Sequence, residues 1–189
     1  MVTQIRVAAG YHEPLGAEMN TKHKKEFIYR ELFSATLGAT VQRSRIYAED
    51  VPEKVRNKFK KLLREELESL LPQYESEVSE EQHTSNIETL AKNISNQCST
   101  SLSNGRFRIG SAQKALNLYL KYMWCIGQIE CPPHCPIDAI VLRNIPDCSG
   151  IKWTILDSIS EYKEIIKKAK QVASTKPLPQ WELELWNGT

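Results

Sequence analysis

The seventeen residues SAQKALNLYLKYMWCIG (111–127) constrain this chain more than any other stretch. Ala112, Ala115, Leu116, Leu118, Tyr119, Leu120, Tyr122, Met123, Trp124 and Ile126 cover almost every side of a helix over 111–126. A helix apolar nearly all round belongs in the centre of its domain, surrounded by other elements. Its polar residues Gln113, Lys114, Asn117 and Lys121 then either form a strip that faces solvent or need buried partners. Gln113 and Asn117 share one face of the helix, Lys114 and Lys121 another.

The remaining sequence supplies the surrounding elements as helices. One is predicted from about Lys22 to Leu37, closed by Gly38, and another after Asp50, with Pro52 in its first turn, ending before Pro72. Ser79-Glu80-Glu81-Gln82 and Ser158-Ile159-Ser160-Glu161 are capping-box patterns that open two more. A fifth helix is expected from Pro136 to just before Pro146, and a last one from Pro179 to Trp186. Residues 97–105 read as a loop, and Ile5 and Val7 alternate with polar neighbours as one short N-terminal strand would. The fold class is all-α: a single compact domain, 1–189, of about seven helices around the buried 111–126 helix.

Charge narrows the partners. The whole chain carries only +2, but Lys22–Arg64 holds twelve Lys/Arg against five Asp/Glu, while Glu65–Leu102 holds eight acids and one lysine. Such a dipolar surface presents a basic side to phosphates. Arg56, Lys60, Lys61 and Arg64 lie on the polar face of the second helix, and Arg106 and Arg108 precede the central one. No apolar window is long enough for a signal peptide or a membrane span, so no membrane partner is expected. The five cysteines, odd in number and irregularly spaced, suit a reducing compartment; a cytoplasmic location is expected.

Cys125, Cys131, His134, Cys135 and Cys148 raise the possibility of zinc. The spacing argues against it. Cys131 and Cys135 can form one knuckle, but Cys125 and Cys148 are single, and Cys125 falls within the apolar helix. The prolines between them are explained as rigid loop elements. No metal and no cofactor are expected.

The order of features from Gly105 to Pro146 is more informative. A glycine-led turn, FRIG (107–110), precedes the central helix; a loop follows, and then PID (136–138) at the start of the next helix. This resembles the helix-hairpin-helix DNA glycosylase superfamily over about 40 of the 189 residues. The resemblance implies that Gly110 is the last glycine of a hairpin holding the DNA backbone, that Ala112–Gly127 is the outgoing helix, and that Asp138 is the aspartate facing a flipped nucleotide. The sequence departs from the family pattern in two places. The Leu-Pro-Gly-Val-Gly hairpin is absent, and Ala112 stands where members that also cut the backbone carry a lysine. Lys114 is two residues further on, about 200° round the helix.

The chemistry that the resemblance implies needs a carboxylate beside an oxocarbenium-like sugar and an aromatic pocket for the base. Asp138 is the candidate carboxylate, Lys114 a candidate nucleophile and His134 a group to orient Asp138. Tyr119, Tyr122, Trp124 and Trp153 are candidate pocket walls. Two other classes fit the sequence: a DNA- or RNA-binding protein without catalysis, and a protein-interaction module that docks through the acidic segment or through Trp181 and Trp186 of the WELELW tail. An all-helical ribonuclease pairing Arg6 with His12 is set aside because neither lies in a clear helix. Signatures of phosphate-cradling loops, serine hydrolases and helical zinc proteases are absent.

Overall fold

The computed structural model describes residues 15–188. Seven α-helices lie among them: α1 Leu15–Ser44, α2 Glu53–Leu70, α3 Glu80–Cys98, α4 Ile109–Cys125, α5 Ala139–Arg143, α6 Ile159–Ala173 and α7 Leu178–Asn187. No strand occurs among the described residues, and an isolated bridge pairs Tyr47 with Leu102. The fold is all-α, as the sequence predicts. The expected strand at Ile5 and Val7, and the pair Arg6 and His12, lie outside the described residues. Among the described residues no helix is long and apolar enough to cross a membrane.

The centre is α4, whose residues from Ile109 to Lys121 are all buried. Its principal neighbours are α1 and α3. Buried side chains from all seven helices join one hydrophobic cluster, including Phe33, Phe59, Ile87, Leu116, Val141, Ile165 and Trp181. The stripe on α2 behaves as its spacing requires. Phe59, Leu63 and Leu67 are fully buried, each adding about 2 kcal/mol of transfer free energy. Ser79 and Ser158 cap α3 and α6 by accepting from the main-chain N–H groups of Gln82 and Glu161.

Several predicted boundaries are corrected. The first helix, α1, begins at Leu15 rather than about Lys22, and residues 97–105 hold the end of α3 and two 3-10 turns instead of a plain loop. Two further changes have a clear cause. First, α1 runs through Gly38 to Ser44 instead of stopping at Leu37. Glycine inside a helix costs about 1 kcal/mol relative to alanine, but the turns beyond it bury Thr40 and Ser44. Thr36 and Thr40 satisfy their buried hydroxyls on the carbonyls of Leu32 and Thr36, at 2.9 and 2.8 Å, and Ser44 does so on Thr40. Second, α5 starts at Ala139, not Pro136, so Asp138 is its N-cap rather than a first-turn residue. The cause is Ile137. Its N–H and its carbonyl both bond to the Gln113 side chain, at 3.0 and 2.7 Å, which commits them outside the helix.

At the N-terminus of α4, the Gly110 N–H donates to the Leu156 carbonyl at 2.8 Å. A Cβ at Gly110 would lie 1.8 Å from the Trp153 carbonyl oxygen. That contact is with backbone and cannot rotate away. Gly110→Ala should therefore push the Trp153–Ile155 turn off α4 and lower stability by about 3 kcal/mol. Thermal unfolding followed by circular dichroism measures this, and an unchanged Tm would rule out the close approach.

Candidate functional site

Gln113, Lys114, Asn117 and Lys121 are buried and partnered; they do not form a strip facing solvent. Each one fixes a different part of the surroundings. The Gln113 amide pairs with the backbone of Ile137, as above, and also donates to the Gly110 carbonyl at 3.0 Å. Asn117 accepts from His83 Nε2 at 2.8 Å through Oδ1. Its Nδ2 donates towards the Cys135 carbonyl, the Tyr162 hydroxyl and Gln113 Oε1, at 3.0, 3.0 and 3.2 Å. This network ties α3, α6 and the loop 131–138 to one turn of α4. Such a network is stabilising only when its members are satisfied together.

Lys114 and Lys121 leave the helix on another side, and each meets a carboxylate. Lys114 Nζ is 2.8 Å from Asp138 Oδ2, with side-chain exposures of 7% and 13%. The other Asp138 oxygen accepts from the N–H groups of Ile140 and Val141 at 2.9 and 3.1 Å, the N-cap arrangement. Burial works to raise the Asp138 pKa, but the Lys114 ammonium and the two N–H donors outweigh it, and the net shift is downward. Asp138 is thus a carboxylate held ionised and fixed in orientation. Lys121 Nζ lies 2.6 Å from Glu182 Oε2, and Glu182 is only 1% exposed. Burial pushes the Glu182 carboxyl up despite the ammonium beside it. Two nearby carboxyls are therefore driven in opposite directions, a pattern typical of sites that handle protons.

Above these pairs lies a cleft of about 450 Å³, a size common for small-molecule sites. Lys114, Lys121 and Asp138 line it together with Arg43 from α1, Tyr122 from α4, Trp153 and Trp186. The Lys121 ammonium also sits 5.6 Å from the centre of the Trp186 ring. The cleft combines fixed charges with aromatic walls on rigid elements.

Only some of the sequence-predicted residues meet here. Asp138, Lys114, Tyr122 and Trp153 do. His134, expected to orient Asp138, instead hydrogen-bonds the Tyr162 hydroxyl at 2.9 Å and lines a different cleft. Tyr119 is fully buried in the core, and Trp124 packs half-buried against it; neither lines the Asp138 cleft. On α2, Lys60, Lys61 and Arg64 pair with Glu53, Glu65 and Glu68 at 2.9, 3.7 and 2.7 Å. Arg56 bonds the Val51 carbonyl at 3.0 Å and lies over the Tyr47 ring. Arg106 pairs with Asp157 at 3.0 Å, and Arg108 reaches the Thr154 carbonyl at 3.5 Å. The Gly110 N–H is occupied by Leu156. Cys135 and Cys148 are buried and Cys125 is exposed, all as free thiols. Among the described residues no group of three or more His, Cys, Asp or Glu is arranged to hold a metal ion.

Sequence reasoning missed Arg43, Lys121 and Glu182 as members of the site. Glu182 had a readable signal. It sits four residues after Leu178 and one after Trp181, on the buried stripe of α7, where an acid requires a partner. No known protein family, curated protein or solved structure matches this chain.

The buried histidines make the network sensitive to acid. Burial lowers the His83 pKa from 6.5 to about 4, although the bond to Asn117 works the other way, and burial lowers that of His134 as well. The unfolded chain takes up these protons near pH 6.5, whereas the folded chain resists, so stability is complete above 6.5 and lost as the pH falls towards 4. His83 alone should account for about 3 kcal/mol. Urea unfolding between pH 6.5 and 5, above most carboxylate titrations, should show a falling midpoint, and a flat profile there would contradict the assignment of neutral buried imidazoles.

Proposed function

We propose that this protein is a DNA-binding enzyme that cleaves an N-glycosidic bond, with the base turned out of the strand into the cleft between α4 and α5. The observation that carries this reading is the Lys114–Asp138 pair at 2.8 Å, lining a cleft walled by Tyr122, Trp153 and Trp186. A flipped base presents a flat apolar face, and aromatic rings are the side chains best able to cover it. As the bond from the sugar to the base nitrogen breaks, the base leaves with the electron pair and the sugar becomes cationic. A carboxylate fixed in place before that charge appears stabilises it without reorganising. Asp138 is fixed by two N–H groups and an ammonium.

Either water or the Lys114 amine can then complete the reaction. In the second case the Lys114 ammonium passes one proton to the departing base, the amine so formed attacks the sugar carbon, and ring opening moves a second proton to the ring oxygen and leaves an iminium ion reducible by borohydride. The departing base takes up one proton, so the atoms balance. Arg43 at the rim is suited to a backbone phosphate beside the extruded nucleotide. On α2, the exposed ion pairs of Lys60 and Lys61 are weak enough for phosphate to replace them, with Arg56 and Arg64 beside them.

A second reading is favoured by one feature. Both oxygens of Asp138 are engaged within the protein, and Lys121–Glu182 repeats the motif, as two ion pairs fastening α5 and α7 to α4 would. Under that reading the protein binds nucleic acid without catalysis.

The readings separate in Asp138→Asn, which keeps a good N-cap. Under the glycosylase reading it should bind DNA duplexes containing damaged or modified bases as the wild type does, and lose base release by about a hundredfold or more. Retention of base release within about twofold would refute a catalytic carboxylate at this position. Borohydride trapping then tests the lysine: a trapped adduct should form in the wild type and not in Lys114→Ala, and an adduct that survives in the variant would exclude Lys114 as the nucleophile.

A further inference from the structure

The second cleft, on the far side of the buried network, holds a polar atom with no partner. His134 is 1% exposed, and its Nε2 has no hydrogen-bond partner among the described residues. Native proteins rarely leave such a group unsatisfied. Its protonation state follows from the network. The Cys135 carbonyl can only accept, so the Asn117 atom 3.0 Å from it is the NH2. That NH2 can only donate, so it cannot take the hydrogen of the Tyr162 hydroxyl, also 3.0 Å away. The Tyr162 hydrogen therefore goes to its other neighbour, His134 Nδ1, at 2.9 Å. With Nδ1 accepting, the neutral imidazole carries its hydrogen on Nε2. The orphan atom is a donor, and a donor cannot ligate a metal ion.

His134 lines a cleft of about 340 Å³ between α3 and α6, together with Lys163, Lys167 and Lys170 on one wall and Glu80 and Glu81 on the other. Glu80 is tied up by Lys170. Lys163 and Lys167 are exposed and have no acidic partner within 4 Å among the described residues. Three lysines against two carboxylates, Glu81 included, leave the cleft net basic; a buried N–H donor below and two ammonium groups with no acid within 4 Å call for an acceptor that carries negative charge. We infer that this cleft is a binding site for a tetrahedral oxyanion, a phosphate group, with one oxygen on His134 Nε2–H and the others facing Lys163 and Lys167. The inference is independent of any catalysis at Asp138. It adds a second site, reached from a different face of the same α4 network.

Inorganic phosphate is the probe. In full-length protein labelled with nitrogen-15 at histidine, the Nε2–H resonance of His134 should shift on phosphate addition and saturate in the millimolar range, as expected for a small ligand held by few contacts. Lys163→Ala/Lys167→Ala changes only exposed side chains and should weaken that response at least about fivefold. His134→Gln should abolish protection by phosphate against thermal unfolding. Competition tells the sources of the phosphate apart. Displacement of phosphate by a short DNA duplex would identify a backbone phosphate as the ligand, and indifference to DNA would identify a free phosphate or phosphomonoester; both support the site. A resonance unmoved by about 50 mM phosphate would mean that a trapped water satisfies Nε2, and would overturn the inference. A shift equal in the double lysine variant would overturn it too.

Discussion

Burying a polar side chain without a partner costs several kcal/mol, and α4 buries Gln113, Lys114, Asn117 and Lys121 together. That single constraint organises much of the molecule. Gln113 requires the backbone of Ile137, Asn117 requires His83, Cys135 and Tyr162, Lys114 requires Asp138, and Lys121 requires Glu182. The helix thus specifies which segments surround it by hydrogen bonding as well as by apolar contact. Hydrophobic packing alone would allow α5, α6 and α7 to slide or exchange places; the polar pairs favour the one arrangement in which Gln113, Lys114, Asn117 and Lys121 all find partners.

The candidate site is a by-product of that arrangement. The loop from Cys131 to Asp138 stays extended because Gln113 holds both polar groups of Ile137, and so the helix that follows begins one residue after Asp138. An aspartate at that point has one oxygen taken by the new helix and the other turned towards α4, where Lys114 waits. The same geometry that stabilises the chain therefore produces an ionised, immobile carboxylate at the edge of a cleft. Sites built on packed helices hold their groups more firmly than sites on loops. On the opposite side, the same Asn117 fixes Tyr162, and Tyr162 fixes the tautomer of His134. One helix turn sets the chemistry of two clefts.

Much of the fold was legible in the sequence because the signals were local. The apolar spacing of α2 and the serine caps of α3 and α6 depend on residues within a few positions of one another. The end of α1 was not legible, because Gly38 is a local stop signal overruled by the burial of Thr40 and Ser44 against distant residues. The start of α5 was misplaced for a similar reason: proline is at home in a first turn, but Gln113, twenty-four residues earlier, holds Ile137 outside the helix. In the site, Asp138 and Lys114 were both singled out, and the structure brings them together although Lys114 lies some 200° from Ala112. Ala112 faces the core, while the extended approach to Asp138 crosses to the lysine's side. Lys121 and Glu182 were missed because their partnership spans 61 residues, and only the misplaced charge on the buried stripe of α7 hinted at it.

Asp138 is proposed to face positive charge developing on a sugar. Binding of two abasic DNA duplexes tests it most directly: one carries a tetrahydrofuran in place of the nucleotide, the other a pyrrolidine whose protonated ring nitrogen mimics the cationic sugar. The pyrrolidine duplex should bind about a hundredfold more tightly, and Asp138→Asn should remove the difference. Equal affinity for the two duplexes, or a preference that survives in Asp138→Asn, would contradict it.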